Sequence, residues 1–146
     1  MYAPTASLMS LHLVLATVVS KPWLVAPFDV SGTYLYSPVN DNFLVEPPIA
    51  FMPELRGKAL CLKKALYGMQ QAGRCWWKLL TGILSRLGFV ATEVDQFLYV
   101  LQSEMAFMAI WIHIVDFVVT SNSPEAVSNF RNALYAELGI KWSDVM

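Results

Sequence analysis

The sequence has few charged residues for its length. Asp, Glu, Lys and Arg make up 14% of its 146 residues and hydrophobic residues 56%, whereas about a quarter of an average soluble domain is charged. Two explanations are open: the chain contacts a membrane, or it is a piece of a larger protein whose other parts cover its apolar faces. Its length is that of one domain, which can bury a core without disulfides or a structural metal.

Long hydrophobic runs are also lacking. The longest apolar stretch near the start, residues 8–19, is interrupted by Ser10 and His12, and it is too short to span a bilayer. No Lys or Arg precedes this stretch, as a secretory signal would require. We therefore expect no membrane partner, and we expect missing subdomains or self-association to cover the apolar faces.

Cysteine and histidine are scarce. Cys61 and Cys75 are too few and too widely spaced for a zinc site, and His12 and His113 do not complete a ligand set. We expect both thiols to be reduced, as is usual in an intracellular protein. The expected location is cytoplasmic or nuclear.

Acidic residues are absent from residues 56–86, here called the basic segment. Its seven cations are Arg56, Lys58, Lys63, Lys64, Arg74, Lys78 and Arg86. Tyr67, Trp76 and Trp77 lie among them, and cations interleaved with aromatic rings suit a nucleic-acid backbone and stacked bases. The alternative is a solvated helix face above buried tryptophans, and the pattern alone does not separate the two.

Apolar spacing and end signals predict an α+β fold. The longer predicted helices cover residues 5–19 after a cap at Thr5 or Ser7, residues 71–87 before Gly88, and residues 123–138 from Ser123-Pro124-Glu125 to about Leu138, before Gly139. A short helical turn is predicted after Asp29. The predicted strands cover residues 23–30, 43–46, 97–101, 107–114 and 117–120, and residues 102–104 join two of them as a hairpin. This order predicts a mostly antiparallel sheet with helices packed on one face.

Two carboxylates occupy corresponding places in this pattern. Asp29 ends the apolar run "WLVAPFDV", and Asp116 interrupts "WIHIVDFVV". Carboxylates that converge at one sheet edge repel each other unless a divalent cation joins them, and hard oxygen ligands select magnesium. The alternative is that each Asp forms a turn at the end of a strand.

Several motifs resemble those of the reverse transcriptase of copia-type long-terminal-repeat retrotransposons, over nearly the whole chain. The most specific match is "LKKALYGMQQAGRCWW", which is similar to "LKKALYGLKQAPRAWY" in that family. "YAPTASLMSLHLVLA" is similar to "FAPVA…S.R.LLALA", "PFDVSGTYLYS" to "MDVKSAFLNG", and "FLVEPP" to "VYMEQPPGF". "DQFLYV" resembles the "D..LF" strand, and "HIVDFVVTSNSPEAVSNF" aligns without gaps to "YVDDLLIAGSN…I..F".

The resemblance implies a polymerase palm that binds an RNA or DNA template-primer and a deoxynucleoside triphosphate. In such a palm two magnesium ions are held by the Asp of the first motif, here Asp29, and by the Asp pair of the "YVDD" turn, of which Asp116 remains. It implies nucleotide contacts for Tyr34 and Gln71, although Tyr34 also fits a core tyrosine. The implied nucleic-acid contacts are Lys63, Lys64, Arg74 and Lys78.

The turn departs from the family pattern at one position. Residues 113–116 read His, Ile, Val, Asp, so Val115 stands where the family has the first Asp of its pair. A valine has no oxygen to offer a metal, and a loss of about 4 kcal/mol in transition-state stabilisation slows a reaction roughly a thousandfold. The resemblance therefore predicts a decayed polymerase with weak or no activity.

The same resemblance predicts that residues 1–146 form a palm core, without the start of the fingers, the thumb or a ribonuclease H domain. Two other functions are compatible with the sequence. One is a non-catalytic module that binds nucleic acid through residues 56–86. The other is a structural protein that associates through its apolar faces.

Overall fold

A computed structural model describes residues 6–39 and 42–138. Its strands are β1 (Leu24–Asp29), β2 (Leu44–Val45), β3 (Leu60–Cys61), β4 (Val90–Ala91), β5 (Leu98–Gln102), β6 (Phe107–His113) and β7 (Asp116–Ser121). Its helices are α1 (Leu8–Val19), α2 (Thr33–Tyr36), α3 (Ala72–Arg86) and α4 (Pro124–Leu138), with a short 3-10 helix at Pro53–Leu55.

The sheet confirms the predicted α+β class. Five strands lie in the order β1-β7-β6-β5-β4, and each neighbouring pair is antiparallel. A second, two-stranded sheet joins β2 to β3. The predicted short helix after Asp29 is α2. The sequence did not predict β3 and β4, because two-residue strands are too short to show a period of two.

Helix α3 forms where apolar residues recur on one side. Trp76, Leu80, Ile83 and Leu84 are buried at helical spacing. The helix ends as predicted at Gly88, whose φ of +87° is left-handed. The Gly88 N–H donates to Ser85 at 3.1 Å and the Phe89 N–H to Leu84 at 2.9 Å, which is the Schellman pattern that closes a helix.

The helices divide between the two faces of the main sheet. α3 and α4 pack on one face around a core that includes Phe117, Val119 and Ile110. α1 packs on the other face, where Val14 contacts the cluster of Trp111 and Ala109. The prediction that all helices share one face therefore holds for α3 and α4 but not for α1. The side chains of β6 are apolar on both faces of the sheet, so helices must cover both faces.

The outward side of α1 is apolar. Leu8, Met9, Leu13 and Val19 are each more than 60% exposed. Among the described residues, none of the helices has the length and apolar content needed to cross a membrane. Ser7 caps α1 by accepting the Met9 N–H at 3.1 Å; Thr5, the other predicted cap, and Gly139, the predicted end of α4, lie outside the described residues.

Asp95 holds the start of α1 against the sheet. Its carboxylate accepts the backbone N–H groups of Ser7 at 3.1 Å and Phe97 at 2.9 Å. Burial alone would raise the pKa of Asp95, but hydrogen bonds from the Ser10 hydroxyl and from these two N–H groups outweigh it and lower the pKa. The Trp111 indole N–H donates to the Ser7 carbonyl at 3.1 Å, so one carboxylate and one tryptophan fix this end of the helix.

Replacing Asp95 with Asn should lower the free energy of unfolding at neutral pH by about 1–2 kcal/mol, because a neutral amide oxygen accepts more weakly than a carboxylate. The pKa of Asp95 is lower in the folded than in the unfolded chain, where it is about 3.9. Its contribution is therefore complete above the unfolded pKa and is lost as the pH falls through the folded pKa.

Urea unfolding of wild type and Asp95→Asn between pH 7 and about pH 2 measures this dependence. The difference between the two proteins should shrink as the pH falls. Glu93→Gln, at an exposed neighbour, is the control and should change little. A difference that is absent at pH 7, or that stays constant down to about pH 2, would contradict this role.

Candidate functional site

The structure brings Asp29 and Asp116 together. They are direct partners in the antiparallel pairing of β1 with β7, so their side chains emerge on the same face of the sheet. Pro27, two residues before Asp29, has no N–H and faces away from β7 in the hydrogen-bond pattern, as a proline in an edge strand must. Asp29 follows the same alternation, so Asp29 and Asp116 form a pair without mutual hydrogen bonds, in which Cα atoms lie about 4.5 Å apart.

His113 extends this pair into a row across three strands. It is the direct partner of Asp116 in the pairing of β6 with β7, and its ring stacks on Trp111 with a centroid distance of 5.6 Å and an interplanar angle of 10°. The His113 Nδ1 atom is buried without a hydrogen-bond partner. Both carboxylates, in contrast, are exposed to solvent.

A tight turn of two residues joins β6 to β7. Ile114 has a φ of +59°, which is uncommon for a β-branched residue and costs of the order of 1–3 kcal/mol. Val115 does not share this positive φ. A positive φ at the first central residue alone is the pattern of a type II′ turn, whose twist matches that of the strands.

Trp76 of α3 reaches this turn from the core. Its indole N–H donates to the Ile114 carbonyl at 3.0 Å, and its side chain is only 1% exposed. This hydrogen bond is not predictable from the sequence, because helical spacing places Trp76 in the core without identifying the partner of its N–H. The turn is thus held both by its strands and by a helix on the opposite face of the sheet from Asp29 and Asp116.

The carboxylate pair suits one Mg²⁺ ion that keeps several of its water ligands better than an ion whose ligands all come from the protein. Magnesium is commonly bound by one or two carboxylates and completes its shell with water and substrate phosphates, and Asp29 with Asp116 supplies two exposed carboxylates. Groups of three or more His, Cys, Asp or Glu with metal-binding geometry are absent from the described residues. Val115 supplies no oxygen at the turn, so the family's three-carboxylate arrangement is incomplete here, as its sequence indicates.

The cations of the basic segment are all exposed. Among the described residues, Arg86 is the one of the seven that forms a salt bridge, with Glu137 at 2.5 Å. The hydrogen bond to Glu137 raises the pKa of Arg86, and the same bond lowers the pKa of Glu137. The remaining six cations are free to meet anions from outside the chain.

The tryptophans of the basic segment do not present stacking surfaces, which corrects one reading of the sequence. Trp76 is in the core, and Trp77 packs edge-on against Phe97 at a centroid distance of 4.7 Å. Helix α3 turns these rings toward the sheet because they lie on its apolar side. Tyr67 alone of the three aromatics is largely exposed, at 61%.

Gln71, Arg74 and Lys78 line one groove of about 540 Å³ beside α3. Its other walls are Pro38, Val39, Phe43, Cys75 and Leu79. Lys63 and Lys64 lie next to this groove, because the Val39 N–H donates to the Lys63 carbonyl at 3.2 Å and Pro38 forms a β-bridge with Lys64. Five of the predicted contact residues thus come from segments that meet at one place.

Tyr34 lies apart from the groove walls. It sits on α2, half-buried against the main core, and its ring is 4.8 Å from that of Tyr67. Its surroundings suit a packed tyrosine, and its place five residues after Asp29 also keeps it close to the first carboxylate along the chain. A nucleotide contact for Tyr34 stays a prediction.

Comparison with known proteins gives a consistent result. A family model described as reverse transcriptase (RNA-dependent DNA polymerase) matches residues 1–145. Two relatives from Arabidopsis thaliana are the retrovirus-related Pol polyproteins from transposons RE1, 29% identical, and RE2, 28% identical, each over 96% of this chain and 10% of the relative. A third, from transposon TNT 1-94 of Nicotiana tabacum, is 23% identical over 96% of this chain and 11% of the relative.

The chain therefore spans about a tenth of the length of these relatives. No solved structure matches it significantly.

Replacing Ile114 with Gly should raise the free energy of unfolding by about 1 kcal/mol, because glycine adopts a positive φ without steric cost and the relieved strain exceeds its extra chain entropy. Chemical denaturation at neutral pH measures the change. Val115→Gly is the matched control: Val115 has no positive φ to relieve, so this variant should lose stability. An Ile114→Gly variant that is as unstable as Val115→Gly would show that Ile114 is not strained.

Proposed function

Because the chain belongs to the reverse transcriptase (RNA-dependent DNA polymerase) family found in retrotransposon Pol polyproteins, we propose that it is a polymerase palm whose nucleotidyl transfer is impaired at one metal-ligand position. The observation that carries this proposal is the direct pairing of Asp29 with Asp116 on one face of the sheet. This pairing places two like charges side by side, and a divalent cation is the partner that would compensate them.

Asp29 and Asp116 are proposed to hold divalent cations between the primer end and the incoming triphosphate. When bound, magnesium would activate the primer hydroxyl and neutralise charge on the triphosphate and the departing pyrophosphate. The two side chains contribute negative charge at a fixed separation, and cross-strand like charges are destabilising until a cation joins them. The cation thus removes a repulsion that the fold itself creates.

Val115 is proposed to be the reason that activity is weak or absent. It occupies the tip of the turn next to Asp116, where an additional carboxylate would complete the family's ligand set. An aliphatic side chain at this point has no oxygen with which to bind a cation. The backbone that supports the site is nevertheless intact, since the pairings of β7 with β1 and β6 continue to the turn.

The groove beside α3 is proposed to bind the template-primer, with Arg74 and Lys78 contacting phosphates and Gln71 contacting the nucleotide. Lys63 and Lys64 extend the same positive surface. Tyr34 is proposed to lie near the sugar of the nucleotide, on the strength of its position shortly after Asp29. Exposed and unpaired cations on a groove wall are the groups that neutralise a nucleic-acid backbone.

A non-catalytic nucleic-acid-binding module is the second candidate function. It is favoured by the same groove, because the charge and exposure of Arg74 and Lys78 do not depend on whether Val115 impairs the metal site. The two candidates differ in their requirement for metal. Binding through phosphates weakens with salt and needs no magnesium, whereas polymerisation requires it.

Restoring the carboxylate with Val115→Asp should raise primer extension on an RNA template by about a thousandfold over the wild-type chain in the presence of Mg²⁺, if the missing ligand accounts for roughly 4 kcal/mol. Gel analysis of extended primers measures the rates. Val115→Asn has a similar shape without the charge and should restore much less. The double variant Val115→Asp with Asp29→Asn should be inactive.

Wild-type extension at the rate of Val115→Asp would show that Val115 does not impair the site. If neither protein extends the primer, the polymerase proposal for this chain fails and the binding module is favoured.

Replacing both Arg74 and Lys78 with Gln should reduce the slope of log affinity against log salt by about 1–2, since each phosphate contact adds about 0.7–0.9 to that slope. Fluorescence anisotropy with single- and double-stranded probes at several salt concentrations measures it. Arg86→Gln is the control on the same helix, because Arg86 is already paired with Glu137. Equal slopes for the double variant and the wild type would exclude the groove as the binding surface.

A further inference from the structure

We propose that Trp76 is a positioning residue for Asp116. Its indole N–H fixes the peptide at the tip of the hairpin and so sets where Asp116 stands relative to Asp29. This inference rests on the proposed function in one respect: it assumes that these two carboxylates share a cation. The hydrogen bond itself is independent of that assumption.

The bond between Trp76 and Ile114 is one that neither partner can replace easily. The indole is 1% exposed, so an unpaired N–H there would lose its hydrogen bond to water without gaining another. The two residues are 38 positions apart and come from a helix and a hairpin. A hydrogen bond of this kind ties the turn to the core rather than to its own strands.

The acceptor is the central peptide of the turn. The Ile114 carbonyl belongs to the peptide between Ile114 and Val115, and type I′ and II′ turns differ in the orientation of that peptide. A donor fixed in the core selects one orientation. Val115 favours the same choice, because the other orientation would require a positive φ at a second β-branched residue.

Asp116 lies close to this fixed peptide. It is the first residue of β7 and only Val115 separates it from the peptide that Trp76 holds, so displacement of the turn backbone there would also displace the start of β7 and the Asp116 side chain. Asp116 pairs with His113 on one side and with Asp29 on the other, but the pair with Asp29, at the end of the edge strand β1, has no mutual hydrogen bonds. Trp76 therefore limits the distance between Asp29 and Asp116, which the repulsion of their like charges would otherwise increase.

Trp77 provides a matched comparison. It is the next residue on α3 and also lies against the sheet, but its ring packs edge-on to Phe97 and Tyr99 rather than bonding to the turn. Replacing either tryptophan with Phe removes an indole N–H and some buried surface. Only the Trp76 variant removes the contact with Ile114.

The test compares wild type, Trp76→Phe, Trp77→Phe and Asp29→Asn in the full 146-residue chain. Amide hydrogen exchange is measured at Asp116 and, as an internal reference for global stability, at Ile110 in the middle of the sheet. Mn²⁺ is then titrated, and paramagnetic broadening of the signals of residues 113–116 gives its affinity. Mn²⁺ is the probe because it occupies oxygen sites that accept magnesium.

For Trp76→Phe, exchange at Asp116 relative to Ile110 should rise by about five- to tenfold, and Mn²⁺ binding should weaken by a similar factor, as expected for the loss of one buried hydrogen bond. Trp77→Phe should leave both quantities within about twofold of wild type. A merely structural role would accelerate exchange at both amides together and leave the ratio unchanged.

Two results separate the failure of this inference from that of the proposed function. If Trp76→Phe matches Trp77→Phe in exchange ratio and in Mn²⁺ affinity, Trp76 does not position Asp116. If Mn²⁺ does not broaden these signals in the wild-type chain, or broadens them equally in Asp29→Asn, the cation site is absent and the proposed function fails. In that case the exchange ratio alone decides whether Trp76 holds the turn.

Discussion

The stacking of Phe28 on Phe117 fixes the register on which the candidate site depends. The two rings are direct partners across β1 and β7, 5.0 Å apart and nearly parallel at 3°, and they lie in the core beneath α3 and α4. Because strand side chains alternate, the next residues, Asp29 and Asp116, must emerge together on the other face. A slip of one residue would bury a carboxylate where Phe117 now packs, at a cost that excludes it.

This register explains the charge within the apolar run of residues 111–119. Asp116 does not lie inside a buried strand. The chain reverses direction at Ile114 and Val115, and Asp116 begins the next strand at an exposed position. The same reversal places His113 beside it. Helix α3 links the carboxylate pair to the groove beside it. Trp76 is hydrogen-bonded to the turn, and Arg74 and Lys78 lie on the groove wall.

Much of this arrangement is predictable from the sequence, and the exceptions have physical causes. Long periodic elements such as α3 follow from apolar spacing. The places of Asp29 and Asp116 beside apolar runs allowed their convergence, but the pairing of β1 with β7 that produces it is a long-range contact. The charge pattern does not predict that Trp76 is buried and Trp77 half-buried. Both residues lie among cations along the chain, but helix α3 turns them to the side opposite the cations. The placement of α1 on the second face depends on long-range contacts, above all those of Asp95 with Ser7, which no local pattern encodes.

We propose that this register creates a divalent-cation site from Asp29 and Asp116, two acids that repel each other. Unfolding of wild type, Asp29→Asn and Asp116→Asn, measured with and without Mg²⁺, tests it most directly. Without Mg²⁺ either neutral variant should be at least as stable as the wild type, because a repulsion is removed. With Mg²⁺ the wild type alone should gain stability, since a ligand stabilises the folded state that binds it. Equal effects of Mg²⁺ on all three proteins would contradict the claim.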